Sequence, residues 1–172
     1  YYAKSRAVHG GRIAMMAATA TPPAKFDTTE MGWSHPMGDQ GNCGSCYLYA
    51  TVQQASSAWI KAGYGKADGS FAIAVQYGMD CHNFGGCGGG WGAEVIEWMC
   101  RNGWPAEKYI DASGKTVNDY PPYEARSAQC RSKATAKSWK PNTWGFVSGS
   151  ESKKATAAEI KAALMQFGDL NF

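Results

Sequence analysis

The sequence predicts a mixed α+β fold, and three observations carry that prediction. Apolar residues recur at intervals of four, three and four after Cys46, a capping-box pair opens a second helical stretch at Thr156, and Thr143 to Val147 reads as a strand.

The first helix has Leu48, Val52, Ala55 and Trp59 on one face and stops at Gly63 and Gly65. Cys46 thereby falls in its first turn. Another helix is expected over Ala93 to Arg101, with Ile96, Met99 and Cys100 on one side and Asn102-Gly103 as its stop. A third begins where Thr156 and Glu159 form the capping box, runs through Ile160, Ala163, Leu164 and Phe167, and ends at Gly168. Residues 1–23 read as a leader or pro-region extension, closed by Thr21-Pro22-Pro23, which does not continue a helix. Within it, His9-Gly10-Gly11-Arg12-Ile13-Ala14-Met15 faintly resembles the His-Gly-Arg-x-Ala-Met segment of light-harvesting antenna helices, with one extra glycine.

At 172 residues and 44% hydrophobic, the chain suffices for one good core and is not disordered by default. The net charge of +3 is spread without a basic stripe, the longest cationic run being Lys153-Lys154, so nucleic acid is not an expected partner. No stretch approaches the roughly 18 apolar residues of a membrane span. No signal-peptide pattern opens the sequence, so any targeting segment is expected to be removed or to lie outside it. Six clustered cysteines point to an oxidising compartment.

The chemistry concentrates at Gln40-Gly41-Asn42-Cys43-Gly44-Ser45-Cys46-Tyr47. A thiol is nucleophilic only as thiolate, and the positive end of a helix favours the anion. Cys43-x-x-Cys46 also reads as a redox dithiol, but Gly38 to Asn42 is a polar loop where that motif expects an apolar strand. Cys43, Cys46, Cys81 and Cys87 read as a Cys₄ zinc site, with the second pair spaced too widely. The preferred reading has no metal and no cofactor.

The Gln40-to-Tyr47 stretch resembles the active-site loop of papain-like, cathepsin-type cysteine peptidases, and Pro23, Phe26-Asp27, Gly32, Pro36 and Asp39-Gln40-Gly41 follow that family's leading segment in order. The resemblance implies a papain-like fold with a helical lobe over residues 24–135 and the beginning of a β-barrel lobe over 136–172. It implies Cys46 as nucleophile and Gln40 as oxyanion-binding partner of the Cys46 backbone N–H. Gly88-Gly89-Gly90-Trp91 resembles the family's substrate wall, with Gly89 and Gly90 offering bare backbone to an extended peptide and Trp91 lining a side-chain pocket. It further implies Cys43–Cys87 and Cys81–Cys130 disulfides, with Cys46 free. Cys100 is left over and reads as a buried apolar thiol.

The family's histidine and asparagine lie roughly 130–150 residues past the nucleophile, a distance that passes Phe172. The chain is therefore expected to carry half a site and to be inactive alone. His9, His35 and His82 read as surface residues, although spacing alone leaves His35 open as a base. Tyr47 stands where the family usually has tryptophan, and Asp169 where it usually has proline. The function implied is a cysteine endopeptidase acting on peptide or protein substrates, secreted or lysosomal/vacuolar. The alternative is an inactive homologue serving as a structural or binding subunit, possible also in an organelle lumen such as the thylakoid. In either case Ile160, Leu164 and Phe167 are expected to be covered by the protein's own C-terminal half or by a partner subunit.

Overall fold

The structure is a computed structural model that describes residues 22–171. The extension to Thr21, with His9 and the antenna-like segment, and Phe172 lie outside the described residues.

Helix α1 spans Cys46–Lys61 and buries Leu48, Val52 and Ala55 of the expected stripe, while Trp59 is half-buried and its neighbour Ile60 is buried instead. Its buried hydroxyls close on its own backbone: Thr51 Oγ1 donates to the Tyr47 carbonyl at 2.8 Å and Ser56 Oγ to that of Val52 at 2.9 Å. These two hydroxyls thus sit inside the core without an unpaired group. The helix ends at Lys61, and Gly63 then takes the left-handed conformation, φ +84°.

Three further elements pack on α1. Helix α2, Val75–Cys81, is too short and too poorly capped to show a helical period in the sequence. Its Gly78 lets it approach closely, since a Cβ there would lie 2.5 Å from Leu48 and 2.9 Å from Trp104. Helix α3, Gly92–Asn102, begins one residue before the expected start and buries Val95 and Met99. The expected face of Ile96, Met99 and Cys100 is therefore rotated, with Ile96 and Cys100 half-buried at its flank. The third is a small antiparallel sheet, ordered β1 (Ala72–Ile73), β2 (Ala106–Ile110), β3 (Thr116–Asn118). The β2–β3 hairpin is closed by Asp111, whose carboxylate accepts from the Ser113 and Lys115 amides at 2.8 and 3.0 Å.

Residues 143–147 are not a strand. An extended run needs a neighbouring ladder, and none lies alongside it among the described residues; the isolated bridge nearest in sequence joins Trp104 to Trp139. Trp144 instead donates its indole N–H to Glu97 at 2.6 Å. Helix α4, Ala157–Phe167, forms as expected, with both capping-box bonds present and Gly168 ending it. It buries Ala163 and leaves Ile160, Leu164 and Phe167 half-buried. The end of α4 and the residues after it are tied to α1 through Lys61 Nζ to the Gln166 carbonyl at 2.6 Å and Gln54 to the Asp169 carbonyl at 3.2 Å.

The long irregular stretch from Asp119 to Trp139 needs other partners for its backbone. The fully buried Asp80 carboxylate provides them, accepting from Gln76 at 2.6 Å, the Ala128 amide at 2.9 Å, Tyr120 at 3.1 Å and Arg131 at 2.7 and 3.2 Å. Burial pushes the Asp80 pKa up, but these bonds, led by Arg131 and Gln76, outweigh it and hold the group below its ordinary value. A second tie, the Cys81–Cys130 disulfide, lies next to Asp80 in sequence.

Because the native pKa of Asp80 is depressed, its stabilisation is present above the ordinary carboxylate range and is lost as pH falls through the native value. Asp80→Asn is expected to cost on the order of 3 kcal/mol in urea unfolding at neutral pH. The gap to wild type should narrow on acidification below about pH 4; a pH-independent gap would contradict this account of the site.

Candidate active site

The loop before α1 is shaped by what lies beneath it. Gly44 donates its N–H to the Cys87 carbonyl at 3.0 Å, and a Cβ at Gly44 would lie 2.5 Å from that same oxygen. Next to this contact is the Cys43–Cys87 disulfide, so a covalent bond and a backbone hydrogen bond hold the loop on the turn containing Gly86–Gly88. Both disulfides follow the pairing implied by the family resemblance, and Cys46 and Cys100 remain free thiols. The dithiol and Cys₄ readings fail here, because Cys43, Cys81 and Cys87 have no thiol to give.

Cys46 is the first residue of α1 and is exposed. Ser45, the N-cap, has φ −92° and ψ 16° and makes no side-chain cap bond. Its carbonyl accepts from Leu48 and Tyr49, both at 3.0 Å. The amides of Cys46 and Tyr47 belong to the first-turn donors that a helix cannot pair internally, and they lie at the positive helix end beside the sulfur. Gln40 is half-buried and donates its side-chain amide to the Cys43 carbonyl at 2.7 Å, which uses one of its two N–H groups. Its own carbonyl accepts from the Tyr123 hydroxyl at 3.0 Å.

Across from this loop, Gly89 takes φ +92° and Gly90 packs on Tyr47, whose ring would lie 2.7–2.8 Å from a Cβ added there. The Tyr47 hydroxyl donates to the Gly86 carbonyl at 3.3 Å, and burial raises its pKa. Tyr47 therefore does its packing beneath the glycine turn, in contact with both walls. Trp91 is the N-cap of α3 and is 52% exposed. Gly92 follows it, leaving room for the 3.0 Å bond from Asn171 to Thr51.

The two described histidines are half-buried, which corrects the surface reading. The His35 amide donates to Ser57 Oγ at 2.8 Å, and its ring Nδ1 pairs with the Pro36 carbonyl at 2.7 Å. Ser57 is eleven residues beyond Cys46 along α1, about 16 Å at the helical rise. His35 is thus anchored near the wrong end of that helix to serve Cys46, and burial lowers its pKa. The His82 ring packs 3.8 Å from Trp98 and against Tyr77, Phe84 and Trp104. Burial pulls its pKa down to about 4, so it is neutral and committed to the aromatic core. No helix among the described residues is long and apolar enough to cross a membrane.

Sequence reasoning missed Tyr123. It lies 78 and 83 residues from its partners Ser45 and Gln40, in a segment without periodicity, so no local pattern marks it.

The family model described as "Papain family cysteine protease" matches residues 22–171. The curated relatives include Pro-cathepsin H of Medicago truncatula, 29% identical over 112 residues, covering 63% of this chain and 28% of the relative. Cathepsin K of Mus musculus is 30% identical over 120 residues, covering 69% of this chain and 32% of the relative. The chain thus spans about a third or less of the length of these two relatives. Among solved structures, digestive procathepsin L 3 of the Tenebrio molitor larval midgut superposes with a TM-score of 0.65 at 19% identity, over 90% of this chain and 45% of that one. At that identity the likeness speaks to the fold, which is papain-like.

Without reductant, iodoacetamide should label Cys46 well ahead of Cys100. Cys100 is half-buried, and burial, with Glu97 beside it, raises its pKa. Peptide mapping by mass reads the order; preferential labelling of Cys100, or a Cys43–Cys46 crosslink, would overturn the site as described.

Proposed function

The chain belongs to the papain family of cysteine proteases, and from that premise we propose that it carries the nucleophile of a cysteine endopeptidase. The observation that carries this reading is an exposed, unpaired Cys46 thiol at the first residue of α1, with Gln40 in the same loop and the neighbouring Cys43 locked in a disulfide. Attack of the Cys46 thiolate on a peptide carbonyl carbon forms the carbon–sulfur bond and moves the carbonyl electron pair onto oxygen. The second Gln40 N–H and the Cys46 amide are the donors for that oxyanion. Collapse expels the amine once it is protonated, and water then releases the acyl group from sulfur.

A positioned acid and base contributes about 10²–10⁴ to such a reaction. His35 and His82 are each engaged elsewhere, so we assign that role to a group outside residues 22–171. Gly89 and Gly90 are assigned to backbone pairing with an extended peptide, and Trp91 to a side-chain pocket beside it. Residues 24–135 form the helical lobe and 136–172 the start of the second in this reading. The two disulfides suit an oxidising compartment, and we place the protein outside the cell or in a lysosomal or vacuolar lumen. The same histidine arrangement favours a second reading, a homologue that keeps the peptide site without turnover and acts as a binding subunit.

In the native full-length protein, Cys46→Ala should abolish peptide hydrolysis. Gln40→Ala should lower kcat by roughly 10²–10³ with little change in KM. Hydrolysis that survives Cys46→Ala would refute the peptidase mechanism, whereas peptide binding without turnover in the wild type would favour the binding subunit.

A further inference from the structure

Serine is a favoured N-cap because its hydroxyl ordinarily accepts from an amide of the helix's first turn, with its own backbone extended. Ser45 occupies that position and does neither. Its hydroxyl pairs with the Tyr123 hydroxyl. Tyr123 has a single hydroxyl proton, which it donates to the Gln40 carbonyl at 3.0 Å, so the Ser45 hydroxyl supplies the proton of the shared bond. One phenol oxygen therefore holds both the residue before the thiol and Gln40, whose side-chain amide bonds the Cys43 carbonyl in the same loop. Tyr123 is itself fixed from behind: its ring packs edge-on to Tyr49 at 4.7 Å, and the next residue, Glu124, donates its amide to Gln76 at 2.8 Å.

We propose that Tyr123 is a positioning residue for the oxyanion donors: it withholds the Ser45 side chain from capping α1 and fixes the backbone of Gln40. An uncapped first turn leaves the Tyr47 N–H unpaired beside the Cys46 N–H, so the full positive end of the helix faces an incoming oxyanion, whereas a serine hydroxyl bonded to Tyr47 would offset part of it. The role presupposes the acyl-transfer reading of Cys46. Tyr123 touches no reacting atom and acts through Ser45 and Gln40.

The test is Tyr123→Phe, which keeps the ring and its packing on Tyr49, alone and combined with Ser45→Ala. In Tyr123→Phe the Tyr47 amide, at the second helical position, should exchange with solvent several-fold more slowly because Ser45 now caps it, and adding Ser45→Ala should reverse this. In the full-length protein Tyr123→Phe should lower kcat about ten-fold with KM nearly unchanged, and the double variant should recover part of that loss. A merely structural tyrosine predicts a double variant no better than the single one, and that result, or an unchanged Tyr47 amide, would overturn the proposal. If the wild-type protein does not hydrolyse peptides at all, the acyl-transfer reading fails separately, and the Tyr47 amide still decides whether Tyr123 keeps Ser45 off the helix.

Discussion

The carboxylate of Asp80 is the constraint from which the site inherits its geometry. The stretch from Asp119 to Trp139 contains no helix or named strand, so its shape depends on side chains that reach its backbone. Asp80 accepts from the Ala128 amide and the Arg131 guanidinium, Gln76 accepts from the Glu124 amide and donates to the Arg126 carbonyl, and Asp119 accepts from the Thr135 amide. Tyr123 sits within that stretch and delivers its hydroxyl to Gln40 and Ser45. The order of dependence runs from a buried charge, through an irregular segment, to the residue before the thiol. A burial cost of several kcal/mol for an ion is tolerable here only because each carboxylate oxygen accepts two or more bonds.

From the other side the site is held by covalent and steric means. A disulfide closing a loop of this kind typically contributes about 2–4 kcal/mol, whereas a single backbone hydrogen bond such as Gly44 to Cys87 contributes about 1 kcal/mol net. The covalent tie dominates the energy. The hydrogen bond and the bare Gly44 and Gly90 fix the spacing, because each glycine admits a neighbour within a distance that no Cβ tolerates. Tyr47 fills the space beneath Gly90 and adds a bond to Gly86. Its ring and hydroxyl thus join the glycine turn to the helix start.

What the sequence made legible follows from which interactions are local. Helix α1 was readable because its stripe of apolar residues is set by a period of 3.6, and α4 because both partners of its capping box lie three residues apart. The free thiol at Cys46 and the disulfide pairing were readable through a family likeness rather than through spacing. Helix α2 was not, since seven residues with a buried glycine and no caps carry no periodic signal. Strand β1 is two residues long and exists only through its pairing with β2. Thr143 to Val147 has strand-like composition but no neighbour to pair with, which is why composition misled. His82 stands among polar and glycine residues in sequence, and only the fold brings Trp98 and Trp104 to its ring.

Asp169 shows how a departure from a family pattern is absorbed. A proline at this point would end the preceding helix by its ring and its missing N–H. Here Gly168, at φ +91°, ends α4 instead, which frees the next position to carry a functional side chain. Asp169 uses that freedom to accept from the hydroxyls of Thr28 at 2.5 Å and Ser34 at 2.7 Å, both in the leading segment of the chain. Burial pushes its pKa up, and bonds from Ser57, Thr28 and Ser34 outweigh this and hold it low. The carboxylate thus joins the leading segment, α1 and the end of α4 at one point. A proline would leave those three elements to pack without it. The tie is electrostatic rather than steric, and it therefore weakens as Asp169 is protonated at low pH.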